Sequence, residues 1–135
     1  MRVASAVFLC RKAMANADGT TTLEGIFDTI SLSKLPDRLE CMAYCKVEAH
    51  AGEIGSTRLV RFELASANSV FGAPQAPALS WYEKEATVRG AAYGATPTLE
   101  ILLNINAVIV EPGNYLISVS IQGDLAASAP ILVLT

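Results

Sequence analysis

The sequence predicts an all-β protein, a two-layer antiparallel β-sandwich of seven or eight strands. Three observations predict it. Apolar residues recur with period two rather than 3.6 along most of the chain. Turn-forming residues separate these runs at sandwich-like intervals. The 135 residues suffice for one core-bearing domain, residues 1–135, and are too few for two comfortable ones.

Taken in order, strands are expected at 3–13, 21–31, 39–49, 57–66, 80–90, 98–110, 114–121 and 125–134. The first holds "AVFLC". A basic start before an apolar run resembles a leader peptide, but Arg11-Lys12 interrupts it early and no small-x-small site follows. It is therefore read as a strand of a cytoplasmic protein. After the turn "NADGT", the run "TLEGIFDTISLS" does not alternate cleanly, and Gly25 is expected to mark a bulge. Beyond "KLPDR", Leu39, Cys41, Ala43, Cys45 and Val47 alternate with Glu40, Met42, Tyr44, Lys46 and Glu48. "AGEIGS" turns the chain into "RLVRFEL", with Val60, Phe62 and Leu64 on one face. The stretch from Ala67 to Leu79 carries two prolines and little pattern, and reads as the longest loop. "LEILLNIN" places Leu99, Ile101, Leu103 and Ile105 together, and "YLISVSIQ" does the same for Tyr115, Ile117, Val119 and Ile121. No convincing helix interrupts the series.

Pro112-Gly113 suits the centre of a type II turn, because proline fixes φ and glycine accepts a positive value. Such a turn twists the wrong way for a tight hairpin and fits an arch between sheets. A tyrosine just after the arch, Tyr115, matches a tyrosine corner, whose hydroxyl bonds back to the backbone a few residues upstream. Val110-x-Pro112-Gly113-x-Tyr115 thus resembles the entry to strand F of an immunoglobulin-like Greek key. "QGD" is then the F–G hairpin and residues 125–134 strand G. The Cys pair and core Trp of antibody domains are absent.

The early "FLC", the "DG" turn, "GIFDTI", the terminal "PGxY" strand and the "GDLA" hairpin are together similar to a family of small proteins known as a domain of unknown function. That resemblance implies a bacterial, cytosolic β-sandwich and brings no catalytic residues.

Composition narrows the functional classes. The chain is 52% apolar with a mean hydropathy of +0.39, high for a soluble domain, so some apolar surface awaits a partner or both faces of some strands are buried. The ten basic residues are dispersed and the net charge is −3, which excludes the clustered cationic footprint of a nucleic-acid binder. No apolar run approaches the roughly 18 residues of a membrane helix.

Three cysteines do not make a disulfide framework. On one strand Cys41 and Cys45 lie about 13 Å apart, beyond the roughly 7 Å that a disulfide tolerates and too far to share a metal. Buried free thiols are expected, and a contact of Cys10 with either stays open. His50 stands alone at a strand end and reads as a surface residue. Asp18, Asp28, Asp37 and Asp124 fall one per segment, without the close-set carboxylates calcium favours, and Asp18 and Asp124 are explained by turn chemistry. No nucleophile, nucleotide or metal motif occurs, so no enzyme activity, cofactor or metal is expected.

Two stretches remain as candidate partner contacts. "SWYEKEATVRG" reads as an edge strand charged against sheet-to-sheet pairing. It reads also as a recognition patch of Trp81 and Tyr82, joined by Tyr93. "AVFLC" and "ILVL" are apolar at every position, where a surface strand should show one polar face. In an immunoglobulin-like fold strands A and G adjoin, so Phe8, Leu132 and Leu134 are expected to form an apolar face for a protein partner or a second copy, or to be covered by the 67–79 loop. The function expected is that of a non-enzymatic interaction or structural module, a virion or assembly subunit included. The alternative is a C2-like sandwich binding lipid, carbohydrate or calcium.

Overall fold

The computed structural model describes residues 5–67, 78–90 and 96–135. Its strands are β1 (Ser5–Cys10), β2 (Lys12–Ala15), β3 (Thr21–Glu24), β4 (Thr29–Ser31), β5 (Asp37–Glu48), β6 (Thr57–Ser66), β7 (Ala78–Thr87), β8 (Thr98–Ile109), β9 (Gly113–Ile121) and β10 (Asp124–Leu134). A three-residue 3₁₀ turn, Ala51–Glu53, is the helical element among the described residues.

Two sheets share one core. The first has the order β1-β5-β8 and the second β4-β10-β9-β6-β7, while β2 and β3 form a separate hairpin. The alternation read from the sequence decides which side chains meet between the sheets. Leu39, Cys41, Ala43, Cys45 and Val47 of β5 and Leu99, Ile101, Ile105, Ala107 and Ile109 of β8 are buried. They face Val60, Phe62 and Leu64 of β6 and Tyr115, Ile117, Val119 and Ile121 of β9. Phe62 on β6 is wholly buried; removing a ring of this size from a core costs about 3–5 kcal/mol.

The expected strands 39–49, 57–66, 98–110, 114–121 and 125–134 form with shifts of one or two residues at their ends. The expected 80–90 strand runs instead from Ala78 to Thr87, so Ala78 and Leu79 of the stretch read as a loop (67–79) belong to it, and residues 68–77 of that stretch lie outside the described residues. The first two expected strands are each broken. At Arg11 the chain turns out of the first sheet, and its N–H donates to the carbonyls of Glu24 (3.0 Å) and Gly25 (3.2 Å) at the base of the β2–β3 hairpin. Gly25 has φ +66°, and a Cβ there would stand 3.0 Å from the Arg11 side chain. A bulge was expected at Gly25. The residue instead ends β3 and releases the chain toward β4, which runs parallel to β10, against the wholly antiparallel expectation.

The Pro112-Gly113 arch carries the chain from β8 in the first sheet to β9 in the second. Gly113 has φ +134° rather than the roughly +80° of a type II turn, so the crossing is an open bend, not that turn. Tyr115 is buried, and its hydroxyl donates to the carbonyl of Glu111 at 2.5 Å, the bond expected of a tyrosine corner. Gln122 (φ 50°) and Gly123 (φ 87°) both take positive φ in the β9–β10 hairpin, as a tight primed turn requires.

Candidate interaction surface

β1 and β10 lie at the same side of the sandwich, in different sheets, and residues 26–28 pass between them. Phe27 N donates to Leu9 O (3.0 Å), Leu132 N to Asp28 O (2.8 Å) and Leu32 N to Leu134 O (2.9 Å). Beside this stitch lies a groove of about 390 Å³, whose lining includes Val7, Phe8, Ile26, Phe27 and Pro130, with Asp28 its one charged residue. Phe8 is 42% and Ile26 57% exposed, and neither side chain carries a polar atom.

The full apolarity of the two terminal runs now has an account. Val7 and Leu9 point into the core, as do Ile131 and Val133. Cys10 is on the outer side yet wholly buried, where its thiol lies 3.7 Å from Met42 O. Phe8 is left outward on the first sheet. Leu132 is half-buried and Leu134 is 43% exposed on the outer face of the second.

Strand register places Trp81 on that same outer face. Ser128, Ser118, Glu63 and Trp81 form one row across β10, β9, β6 and β7. Trp81 is 55% exposed, and the Arg61 guanidinium lies 4.6 Å from its ring centroid, a cation–π contact. Arg61 Nε is 2.7 Å from Glu63 Oε1 but lacks hydrogen-bond alignment with it, so that contact is purely electrostatic. Arg61 also lies 3.4 Å from Glu83. These half-exposed pairs add little stability. They hold the Trp81 ring against the sheet.

Tyr82 points the other way. Its hydroxyl donates to Asn106 O (2.8 Å) and accepts from Asn106 N (3.0 Å), and Lys84 Nζ donates to Leu102 O (3.3 Å). Two side chains of β7 thus satisfy backbone groups on the outer edge of β8. Tyr93 lies outside the described residues. Of the six expected contacts, Leu132, Leu134 and Trp81 share one face, Phe8 lines the groove at the side, and Tyr82 is committed to joining the sheets. Ile26 and Pro130 were not foreseen. The signal for Ile26 was the lapse in alternation after Gly25, where two apolar residues follow each other.

A polar cluster that the sequence reading did not single out ties the hairpin to the first sheet. Glu100 Oε1 accepts from Thr21 Oγ1 (2.7 Å) and Oε2 from the Tyr44 hydroxyl (2.7 Å). Burial pulls the Glu100 carboxyl upward, but the bonds from Thr21 and Tyr44, with Lys46 and Arg89 nearby, outweigh it and hold the group below the usual glutamate value. Burial, then the Glu100 bond and charge, push the Tyr44 phenol up. Tyr44 occupies an outward position of β5 and is buried nonetheless.

The thiols are quiet. Cys10, Cys41 and Cys45 are free and buried; burial pushes Cys41 up to about 11 and Cys45 to about 12, so each stays protonated near neutrality and is a poor nucleophile. His50 is exposed, and its backbone N–H donates to Glu53 Oε1 (3.4 Å) at the 3₁₀ turn. Asp18 Oδ1 accepts from Thr20 N (3.0 Å) and Oγ1 (2.6 Å) in the hairpin turn, and these bonds hold it below the usual aspartate value. Among the described residues no three His, Cys, Asp or Glu side chains gather, and no helix is long and apolar enough to cross a membrane.

Residues 5–134 match a family of unknown function, DUF6941. The chain belongs to that family. The resemblance read from "FLC", "GIFDTI" and "PGxY" therefore led to a family of unknown function. No curated protein matches the sequence. Among solved structures, the chain is similar to part of a Beta-glucosidase from Kluyveromyces marxianus in complex with glucose. The identity is 17% and the TM-score 0.46, over 79% of this chain and 13% of that one. It is similar also to part of the Pseudomonas fluorescens alkylpurine DNA glycosylase AlkC bound to DNA containing an abasic site analog. There the identity is 15% and the TM-score 0.44, over 96% of this chain and 30% of that one. The chain spans under a third of either structure, and likenesses this distant carry nothing about its activity.

Proposed function

We propose that this DUF6941 chain is a non-enzymatic protein-interaction or structural module of a cytoplasmic protein, built as an immunoglobulin-like Greek key. The strand order supports the fold: β1, β5 and β8 take the places of A, B and E, and β10, β9, β6 and β7 those of G, F, C and C′. The observation that carries the functional reading is the groove beside β1 and β10, where Phe8 and Ile26 hold apolar surface in solvent. The partner is a protein rather than a nucleic acid, because the basic residues are dispersed. Free, buried thiols suit a reducing compartment.

A photo-crosslinking amino acid at Phe8, expressed in the native host, tests this. Adducts are expected from position 8 and not from Glu85 on the opposite edge. No adduct at position 8, or equal yields at both, overturns the reading.

The second reading is a ligand-binding sandwich with Trp81 as its platform. It is favoured by the ring's 55% exposure and its fixing by Arg61 beside a groove of about 450 Å³. A change in tryptophan emission on adding neutral oligosaccharides or lipid vesicles would favour it over the first.

A further inference from the structure

The edges of the two sheets differ in how they are protected. β8 is sealed by Tyr82 and Lys84. β10 carries Pro130 and a bulge between Leu125 and Ala127, both devices that blunt an edge. β4 is only three residues long. On β7, two-fold antiparallel registers centred on Glu83, Lys84 or Glu85 would each oppose like charges, which destabilises pairing. β1 has none of these: Ser5–Cys10 carries no charge, no proline and no bulge.

Its backbone directions follow from one bond. Leu9 O accepts from Phe27 N on the side away from β5. In an antiparallel ladder alternate residues direct both N–H and C=O to the same neighbour. The β1–β5 register runs unbroken from Ser5↔Val47 to Cys10↔Met42, so the N–H and C=O of Ser5 and Val7 also point away from β5. Among the described residues no backbone partner meets them there. Phe27 already stands opposite Leu9 where a neighbouring strand would, and the open place beside Ser5–Val7 continues that line along the apolar groove.

We infer that a second copy of this chain fills that place, its β1 pairing antiparallel with β1 across a two-fold axis at Ala6. Ser5 then faces Val7 of the other copy in both directions, and each such pair exchanges both hydrogen bonds. Ala6 faces Ala6, whose small side chains fit the narrow pair between them. Phe27 fixes the register by ending the ladder at Leu9. Phe8 and Ile26 flank the seam on both copies. Charge complementarity favours this occupant: the edge is neutral, and of the residues lining the groove only Asp28 is charged. An acidic partner strand would find no counter-ion there, and the β1–β1 ladder itself opposes no like charges. The short ladder makes a concentration-dependent dimer.

This rests on the interaction reading above and names its partner. Sedimentation velocity of the full chain from low to hundreds of micromolar tests it, with the fold of each variant checked by circular dichroism and thermal melting. Ala6→Lys sets two ammonium groups face to face and should weaken the dimer about tenfold or more. Val7→Pro removes an outward N–H while leaving the β5 ladder its donors at Ala6 and Phe8, and should also give monomers. Leu134→Lys, on the outer face of the second sheet, should leave the dimer unchanged. A dimer that survives Ala6→Lys, or one lost through Leu134→Lys, overturns the inference. A wild-type chain monomeric throughout overturns it too; adducts of another protein at position 8 would then leave the wider reading standing, and their absence would remove both.

Discussion

Replacing Glu100 with glutamine tests whether one carboxylate holds the β2–β3 hairpin onto the first sheet. Glu100 accepts from Thr21 on the hairpin and from Tyr44 on β5. An amide keeps one acceptor oxygen and presents NH₂ where the other stood; the hydroxyl facing the NH₂ must turn to accept, and both charge-assisted bonds become neutral ones. A hydrogen bond to a charged group is worth about 1.5–3 kcal/mol and a neutral one about 0.5–1.5 kcal/mol, so at the partly exposed Glu100 the exchange costs about 1–2 kcal/mol. For a chain of this length that lowers the melting temperature by about 3–7 °C. Hydrogen exchange gives the sharper readout. Amides of 12–24 should exchange about tenfold faster, while those of β5 and β9 change only as global stability does. Acid has the same effect by protonation. The folded Glu100 lies below its ordinary value, so its contribution is complete above that ordinary value and fades as pH falls through the lowered one. The wild type should therefore lose hairpin protection in acid, and the Glu100→Gln variant should lose less. Unchanged hairpin exchange in Glu100→Gln would refute the latch.

Two further outcomes follow from the core. Tyr115→Phe removes the bond to Glu111 O and should cost about 1 kcal/mol in equilibrium urea unfolding with an unchanged m-value; no loss would mean the corner does not stabilise the arch. A thiol reagent should label none of Cys10, Cys41 and Cys45 in the native protein and all three in denaturant, and rapid native labelling of any would contradict their burial.

The parts of the fold legible in the sequence are those where one face of a strand is buried. Val60, Phe62 and Leu64 on β6, and Tyr115 to Ile121 on β9, alternate because the core lies on one side and solvent on the other. Tyr115 was legible for a second reason, since its hydroxyl needs only a carbonyl four residues upstream. Where the chain leaves a sheet, alternation no longer reports the partner. Residues 12–31 form a hairpin, cross at Gly25 and join β10 in parallel, and neither Met14 nor Ile26 is placed by period alone. Tyr44 and Glu100 sit at outward positions and read as surface residues, because a covering hairpin brought in from elsewhere has no local signature. Tyr82 looked like an interface aromatic for the same reason: its hydroxyl is satisfied by β8, a strand 24 positions away in the bond to Asn106.

Trp81 is the one tryptophan of the chain, and it stands in solvent on the outer side of β7 beneath the Arg61 guanidinium. Its emission in the folded protein should already be that of a wetted indole, so heating or urea will move the wavelength little. The fluorophore watches the rim of the second sheet, and the melting of the interior must be followed by another probe.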